Sequence, residues 1–379
     1  MKNYLPFILF ILGWWLVAFF PQGGESLPLS ASHIQEQSCF PSPIDCLSSM
    51  KRESLRQALT GDISLMTKLM TEWDLDAQIL QAHGCEAKRL PPEIYIHAQT
   101  LGRHLKQHTP ESPFTKPVQD DTGKWFTPVS EGFVPQTYLA ATFLLSLTDP
   151  DKIAALPRGI REQTNLFPQS VTEKIPADLD RYLDETLFLQ KPKLAFVSHF
   201  SHPAMLQALS KQGMALFTID SVFQVESIPE NILRIGQVAG SPIKAELLNC
   251  FLAAAFLAIE NRTHAIKDLS NTKVMTVNYY SCFSAPTETS LTGQLLKRLK
   301  VNSYKPSCST CYAKNIGKED ILSFDPDILL ISTPGAHEIC GKQELSQIKK
   351  IALVDDTVQQ SPTHLIALAY YDLAKACLE

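Results

Sequence analysis

Glu185-Thr-Leu-Phe-Leu-Gln-Lys-Pro192-Lys-Leu-Ala-Phe-Val-Ser198 and Glu319-Asp-Ile-Leu-Ser-Phe-Asp-Pro326-Asp-Ile-Leu-Leu-Ile-Ser332 read almost alike, 134 positions (319 less 185) apart. Glu, Pro and Ser coincide, and the apolar positions agree. Each copy has a short helical pattern, a proline that cannot continue it, and then an apolar run ended by Ser. A continuous apolar run of that length suits a strand covered on both faces of a parallel sheet. The chain is therefore read as carrying an internal repeat.

The flanks agree with this reading. Pro203 to Gln212 is helical in pattern, Gly213 stops it, and Met214 to Ile219 returns as a buried strand. In the second half, Lys273 to Val277 reads as a strand, Ser290 to Leu299 as a helix, Asp327 to Ile331 and Ile351 to Val354 as strands, and Pro362 to Leu378 as a closing helix. The expected fold is α/β: two α/β lobes with mainly parallel sheets, joined by one long linking helix, plus an N-terminal, partly helical extension. The linking helix begins at Ser241-Pro242, a capping serine followed by a first-turn proline, and runs to about His264. Its core from Cys250 to Ile259 is apolar throughout but well short of a membrane span. The expected boundaries are 1–31, 32–125 for the extension, 126–240 for the first lobe, 241–268 for the linker and 269–379 for the second lobe. Within 32–125, helices are expected from Lys51 to about His83 and from Pro92 to His108, followed by the turn-rich Val118 to Lys124.

The chain has 379 residues, 45% hydrophobic and 19% charged, with a formal net charge of -5. No basic footprint points to nucleic acid or to an anionic membrane surface. Lys2 followed by the apolar Leu5 to Phe20 is read as an export signal or a retained membrane anchor, which places the rest in a periplasmic or extracytoplasmic compartment. The nine cysteines fit an oxidising compartment. Cys39 and Cys46 are spaced to close a short loop. No nucleophile elbow, phosphate loop, dinucleotide fingerprint or H-E-x-x-H helix occurs, which agrees with a protein that is not an enzyme.

Taken in order, Phe133-Val-Pro135-Gln-Thr-Tyr138 with the helix after it, Glu185 to Val197, Gly213 to Asp220, Ile235-Gly236 before the long helix, and Val274 through Phe324-Asp325-Pro326-Asp327 to the end resemble the class III periplasmic substrate-binding proteins. These serve ABC importers of iron-siderophores, heme, cobalamin and related compounds. The resemblance covers roughly residues 126 to 379. It implies a monomeric extracytoplasmic solute-binding protein that needs no cofactor of its own. Such a protein captures a metal chelate (iron-siderophore, heme or cobalamin-like) between its lobes for an ABC permease. It also implies an acidic residue on each lobe tip for permease docking. Glu288 stands at the second-lobe place, whereas Thr142 occupies the first.

Ligands of open α/β sheets bind outside the carboxyl ends of the strands. The candidate ligand contacts are therefore Tyr138 after the first strand, His199 and His202 after the first repeat, Tyr279 and Tyr280 after the strand ending at Val277, and His337 after the second repeat. His199, His202 and His337 together suit a transition metal, so a free metal ion is the alternative ligand. The bland reading makes these residues polar and aromatic walls that hydrogen-bond an organic ligand. Thr137 is an expected helix cap, and Asp220-Ser221 and Asp355-Asp356 expected turn or cap pairs. Cys308-Ser-Thr-Cys311 is read first as a disulfide, then as a metal or ligand contact with Cys282 and Cys340, and last as the centre of an extracytoplasmic thiol or metal enzyme.

Overall fold

In the computed structural model, the described residues are 50–107, 116–162, 166–179, 187, 192–220, 222–266, 268–279, 282–308, 311–331, 348–359 and 361–378. The apolar leader, the Cys39–Cys46 loop, Tyr280, His337 and Cys340 lie outside them, as does most of the helical part of the first repeat copy.

The extension contributes helices α1 (Arg52–Leu59), α2 (Ile63–Ala82) and α3 (Pro92–Lys106), and a hairpin of β1 (Val118–Gln119) and β2 (Trp125–Phe126). The single helix expected from Lys51 to His83 is thus two helices. The break falls at Thr60-Gly61, where Gly61 adopts φ +110°, and Asp62 recaps the chain by accepting from the Leu65 amide at 2.9 Å.

The first lobe holds β3 (Phe133–Pro135), α4 (Tyr138–Leu147), β4 (Ala155–Pro157), α5 (Gln169–Thr172), β5 (Ala177–Leu179), β6 (Leu194–Val197), α6 (Pro203–Lys211), β7 (Ala215–Thr218) and α7 (Ile228–Val238). Helix α8 (Pro242–Ile266) follows as the linker, two residues longer at its far end than to His264. The second lobe holds β8 (Lys273–Tyr279), β9 (Phe283–Pro286), α9 (Leu291–Arg298), β10 (Asn302–Ser303), β11 (Ala313–Asn315), α10 (Lys318–Phe324), β12 (Ile328–Ile331), β13 (Ile351–Leu353), α11 (Asp356–Gln359) and α12 (Ile366–Leu378).

Strand β6 lies between β3 and β7, all parallel, and β12 lies between β8 and β13, all parallel. The two repeat copies therefore supply an interior strand of each sheet, with a parallel neighbour on either side, and every residue of β6 and β12 is buried. The strands that follow them are less covered than their apolar sequences suggest. Only Phe217 is buried in β7, and no residue of β13 is. Both are edge strands among the described residues, with a strand neighbour on one side only. The closing helix begins at Ile366 rather than Pro362.

Helix α8, about 37 Å long at 1.5 Å per residue, is apolar because it is packed on several sides. It contacts α2, α3, α7 and α12. Its length and composition match a membrane span, but 61% of its most apolar window is buried within the protein. Trp73 of α2 stacks on Phe251 at 5.3 Å, and the Asn261 side chain bonds both the amide and the carbonyl of Lys88, at 2.8 and 2.7 Å. Buried Arg262 pairs with Asp76 of α2. Arg52 of α1 bonds Asp372 of α12 at 2.8 Å. The extension thus shares one core with the linker and with both lobes. Each large apolar side chain moved from water into that core contributes about 1.5–3 kcal/mol.

Candidate functional site

Parallel strands deliver their C-terminal loops to one edge of a sheet. In the first lobe, the residues after β3, β6 and β7 meet there. Thr137 caps α4 by accepting from the Ala140 amide at 3.2 Å, as its sequence position suggests. Gln136 accepts from the Ser201 hydroxyl at 2.5 Å, and the Ser201 oxygen accepts from the Ser198 amide at 3.0 Å. This network ties the first strand end to the loop after β6. Tyr138 is exposed, but its hydroxyl donates to the Arg158 carbonyl at 2.6 Å. Gly159 has φ +89°, and a Cβ there would meet the Tyr138 oxygen at 2.5 Å, so glycine is required for this contact.

His199 is the most developed group of the loop. Its amide and its ring Nδ1 both reach Asp220 Oδ1, at 2.6 and 2.8 Å. A ring that donates Nδ1–H to a carboxylate is fixed in orientation and leaves Nε2 as the electron-pair donor. Asp220, expected to serve a turn, is thus the orienting partner of His199. His202 is occupied differently. It caps α6, accepting from the Ala204 amide through Nδ1 at 3.3 Å. The third histidine of the expected triad, His337, lies outside the described residues. Among the described residues no group of three His, Cys, Asp or Glu side chains is placed to hold a metal.

Around His199 lies a row of exposed rings. Phe200 packs edge-on at 5.2 Å, Phe223 lies at 6.4 Å, and Phe223 stacks on Tyr312 of the second lobe at 4.7 Å with planes 10° apart. Phe200, Phe223 and Tyr312 are 62%, 41% and 47% exposed, so together they present apolar surface. The same place joins the lobes. Gln294 of α9 accepts from the Val225 amide at 2.9 Å and donates to the Phe223 carbonyl at 3.1 Å. Sequence reasoning passed over Phe200, Phe223, Gln294 and Tyr312. Only Phe200, between His199 and His202 in the loop after the first repeat copy, carried a local signal.

Tyr279 is half-buried at the end of β8, its ring 5.1 Å from Phe283. Cys308 and Cys311 are joined by a disulfide immediately before Tyr312. The Cys311 carbonyl accepts from the Thr287 hydroxyl at 2.6 Å, which holds this loop against β9. Glu288 is exposed and bonded to Lys305 at 2.6 Å, and that hydrogen bond holds its carboxyl below the usual range. Thr142 is buried in α4, 4% exposed, so the first-lobe position that aligns with a tip acid is not a surface position.

The profile described as periplasmic binding protein matches residues 150–364. No curated protein sequence matches the chain. Several solved structures are similar in fold. The periplasmic heme-binding protein RhuT from Roseiflexus sp. RS-1 aligns with a TM-score of 0.52 at 16% identity, covering 66% of this chain and 98% of that one. The periplasmic heme-binding protein BhuT, solved with two hemes, gives 0.52 at 15% identity over 65% and 97%. A periplasmic binding protein from Veillonella parvula DSM 2008 gives 0.55 at 18% identity over 69% and 97%. These likenesses establish the two-lobe fold. The matched family is one of extracytoplasmic solute-binding proteins, not of enzymes, and its match spans more than half of the 379 residues. The chain belongs to the periplasmic binding protein family.

Proposed function

We propose that the protein captures a metal chelate of the iron-siderophore, heme or cobalamin type between its lobes and delivers it to an ABC importer. The carrying observation is His199, oriented by Asp220 and flanked by exposed aromatic rings. One imidazole can fill one coordination position, which is enough when the chelator already fills the others. A bare ion would need three or four protein ligands. The ring row favours a flat conjugated ligand, because stacking on exposed rings covers apolar surface without requiring many hydrogen bonds. The heme-binding proteins RhuT and BhuT, similar in fold, support the heme-like end of this range.

In this reading residues 1–31 export or anchor the chain, and residues 126–240 and 269–379 are the binding lobes on either side of the linker. Tyr138 and Tyr279 line the cleft, with Tyr280 and His337, which lie outside the described residues. Glu288 is the permease contact, which exchanges Lys305 for a permease cation on docking. The protein works as a monomer.

The test is titration of the purified chain with hemin, followed by its absorption spectrum, beside cobalamin and ferric siderophores. Wild type is expected to develop a shifted Soret band with a Kd in the micromolar range or tighter (about -8 kcal/mol or stronger). His199→Ala is expected to shift the band and weaken binding roughly tenfold or more. Failure of every chelate to bind overturns the proposal. One stoichiometric metal ion per chain, lost in His199→Ala, supports free-ion capture instead.

A further inference from the structure

The orienting carboxylate of His199 is itself held by the extension. The Asp220 amide donates to Asp121 Oδ2 at 2.5 Å, and the other oxygen of Asp121 accepts from Arg234 Nη1 at 2.6 Å. Arg234 also donates to the Gln119 carbonyl at 3.1 Å, and its guanidinium lies over the Phe217 ring at 5.8 Å. Both partners of the Asp121–Arg234 pair are largely buried, at 12% and 16% side-chain exposure. One residue earlier, Asp120 accepts from the Thr218 amide at 3.1 Å, and the Asp121 amide donates to the Thr218 carbonyl at 3.2 Å. The hairpin turn therefore bonds the last residue of β7 and fixes the strand end from which Asp220 projects.

We infer that Asp121, locked by Arg234, is a positioning residue of the binding site: it holds Asp220 so that Asp220 holds His199 with Nε2 toward the cleft. The inference rests on the ligand reading above for its consequence, but not for its geometry. An edge-covering hairpin alone would need only backbone pairing and charge. Here a carboxylate reaches past the edge to the backbone amide of the residue whose side chain orients the imidazole. Groups one step behind a metal-binding histidine, the place of Asp220, typically change metal affinity by about 10–100-fold when removed, and Asp121 acts one step further back.

The experiment uses the full chain in detergent, with histidine side chains labelled with nitrogen-15 and His199 assigned through His199→Gln. Wild type is expected to hold His199 in the tautomer protonated on Nδ1. In Asp121→Ala, and in Asp121→Asn where the amide nitrogen must face one of two donors, the tautomers are expected to mix and hemin affinity to fall by up to about tenfold, less than in His199→Ala. Thr122→Ala removes a 2.7 Å bond to Asp120 inside the hairpin. It is expected to lower the melting temperature and leave both readouts unchanged. Folded Asp121 variants with the wild-type tautomer overturn the inference, as does an equal tautomer change in Thr122→Ala. If the Asp121 variants mix the tautomers but wild type binds no chelate, the positioning stands and the ligand reading falls.

Discussion

His364 is fully buried where the extension, α4 and the second lobe meet, and its burial makes stability depend on pH. Its Nε2 lies 2.9 Å from the Ser146 hydroxyl, its ring is 5.4 Å from Phe143, and Nδ1 is buried. Desolvation pushes the imidazole down to about 3 from its ordinary 6.5, a weaker interaction with the Leu59 backbone acting the other way. Because the folded value lies below the unfolded one, the unfolded chain binds more protons between those limits. The contribution is complete above pH 6.5 and is lost as pH falls toward 3. At pH 5 the loss is about 2 kcal/mol, from 1.36 kcal/mol per unit over about 1.5 units. His264, also lowered chiefly by burial, acts in the same direction, so the test is a comparison with a variant. His364→Phe keeps the apolar contact and removes the titration. Urea denaturation of both proteins between pH 7 and pH 5 should show wild type losing about 2 kcal/mol more than the variant. Equal losses would mean that His364 is solvated or already protonated in the folded protein, and would refute the reasoning.

Arg262, 2% exposed, offsets the burial of Asp76, whose carboxyl is raised chiefly by desolvation and lowered by the guanidinium. Arg262→Met should cost about 3 kcal/mol in thermal or denaturant unfolding, and Arg262→Met with Asp76→Leu should recover most of it. A double variant no better than the single one would contradict this. Tyr312→Ala removes the 4.7 Å stack on Phe223 and should weaken hemin binding by about 0.5–1.5 kcal/mol, or roughly two- to tenfold, whereas Tyr312→Phe should bind as wild type does. Unchanged binding in Tyr312→Ala would remove the ring row from the site.

The strand-forming parts of the fold were legible in the sequence wherever local pattern and tertiary role coincide. The Pro192 and Pro326 elements read as buried strands because a middle strand of a parallel sheet must be apolar at every position. The linker read as one helix because Ser241-Pro242 starts it and no breaker interrupts it before its last turn. Strand β7 and β13 misled because apolar composition says nothing about sheet order, and order decides which strand has an open edge. Part of the candidate site was legible for the same reason: strand ends point to the loops that carry His199, His202 and Tyr138.

What the sequence by itself determined was the fold class, the repeat, and the loop in which His199 sits, because each follows from periodicity, proline placement and short-range order along the chain. The tertiary structure alone decided what those residues touch. It gave His199 a carboxylate partner 21 positions away, turned His202 into a helix cap, and stacked Phe223 on Tyr312 from the other lobe. It also brought Asp121, from a segment without any recognisable motif, to the amide of Asp220, 99 positions away. Hydrogen bonds and ring contacts are set by distance in space, and chain closure over such spans leaves no periodic trace in the residues that make them.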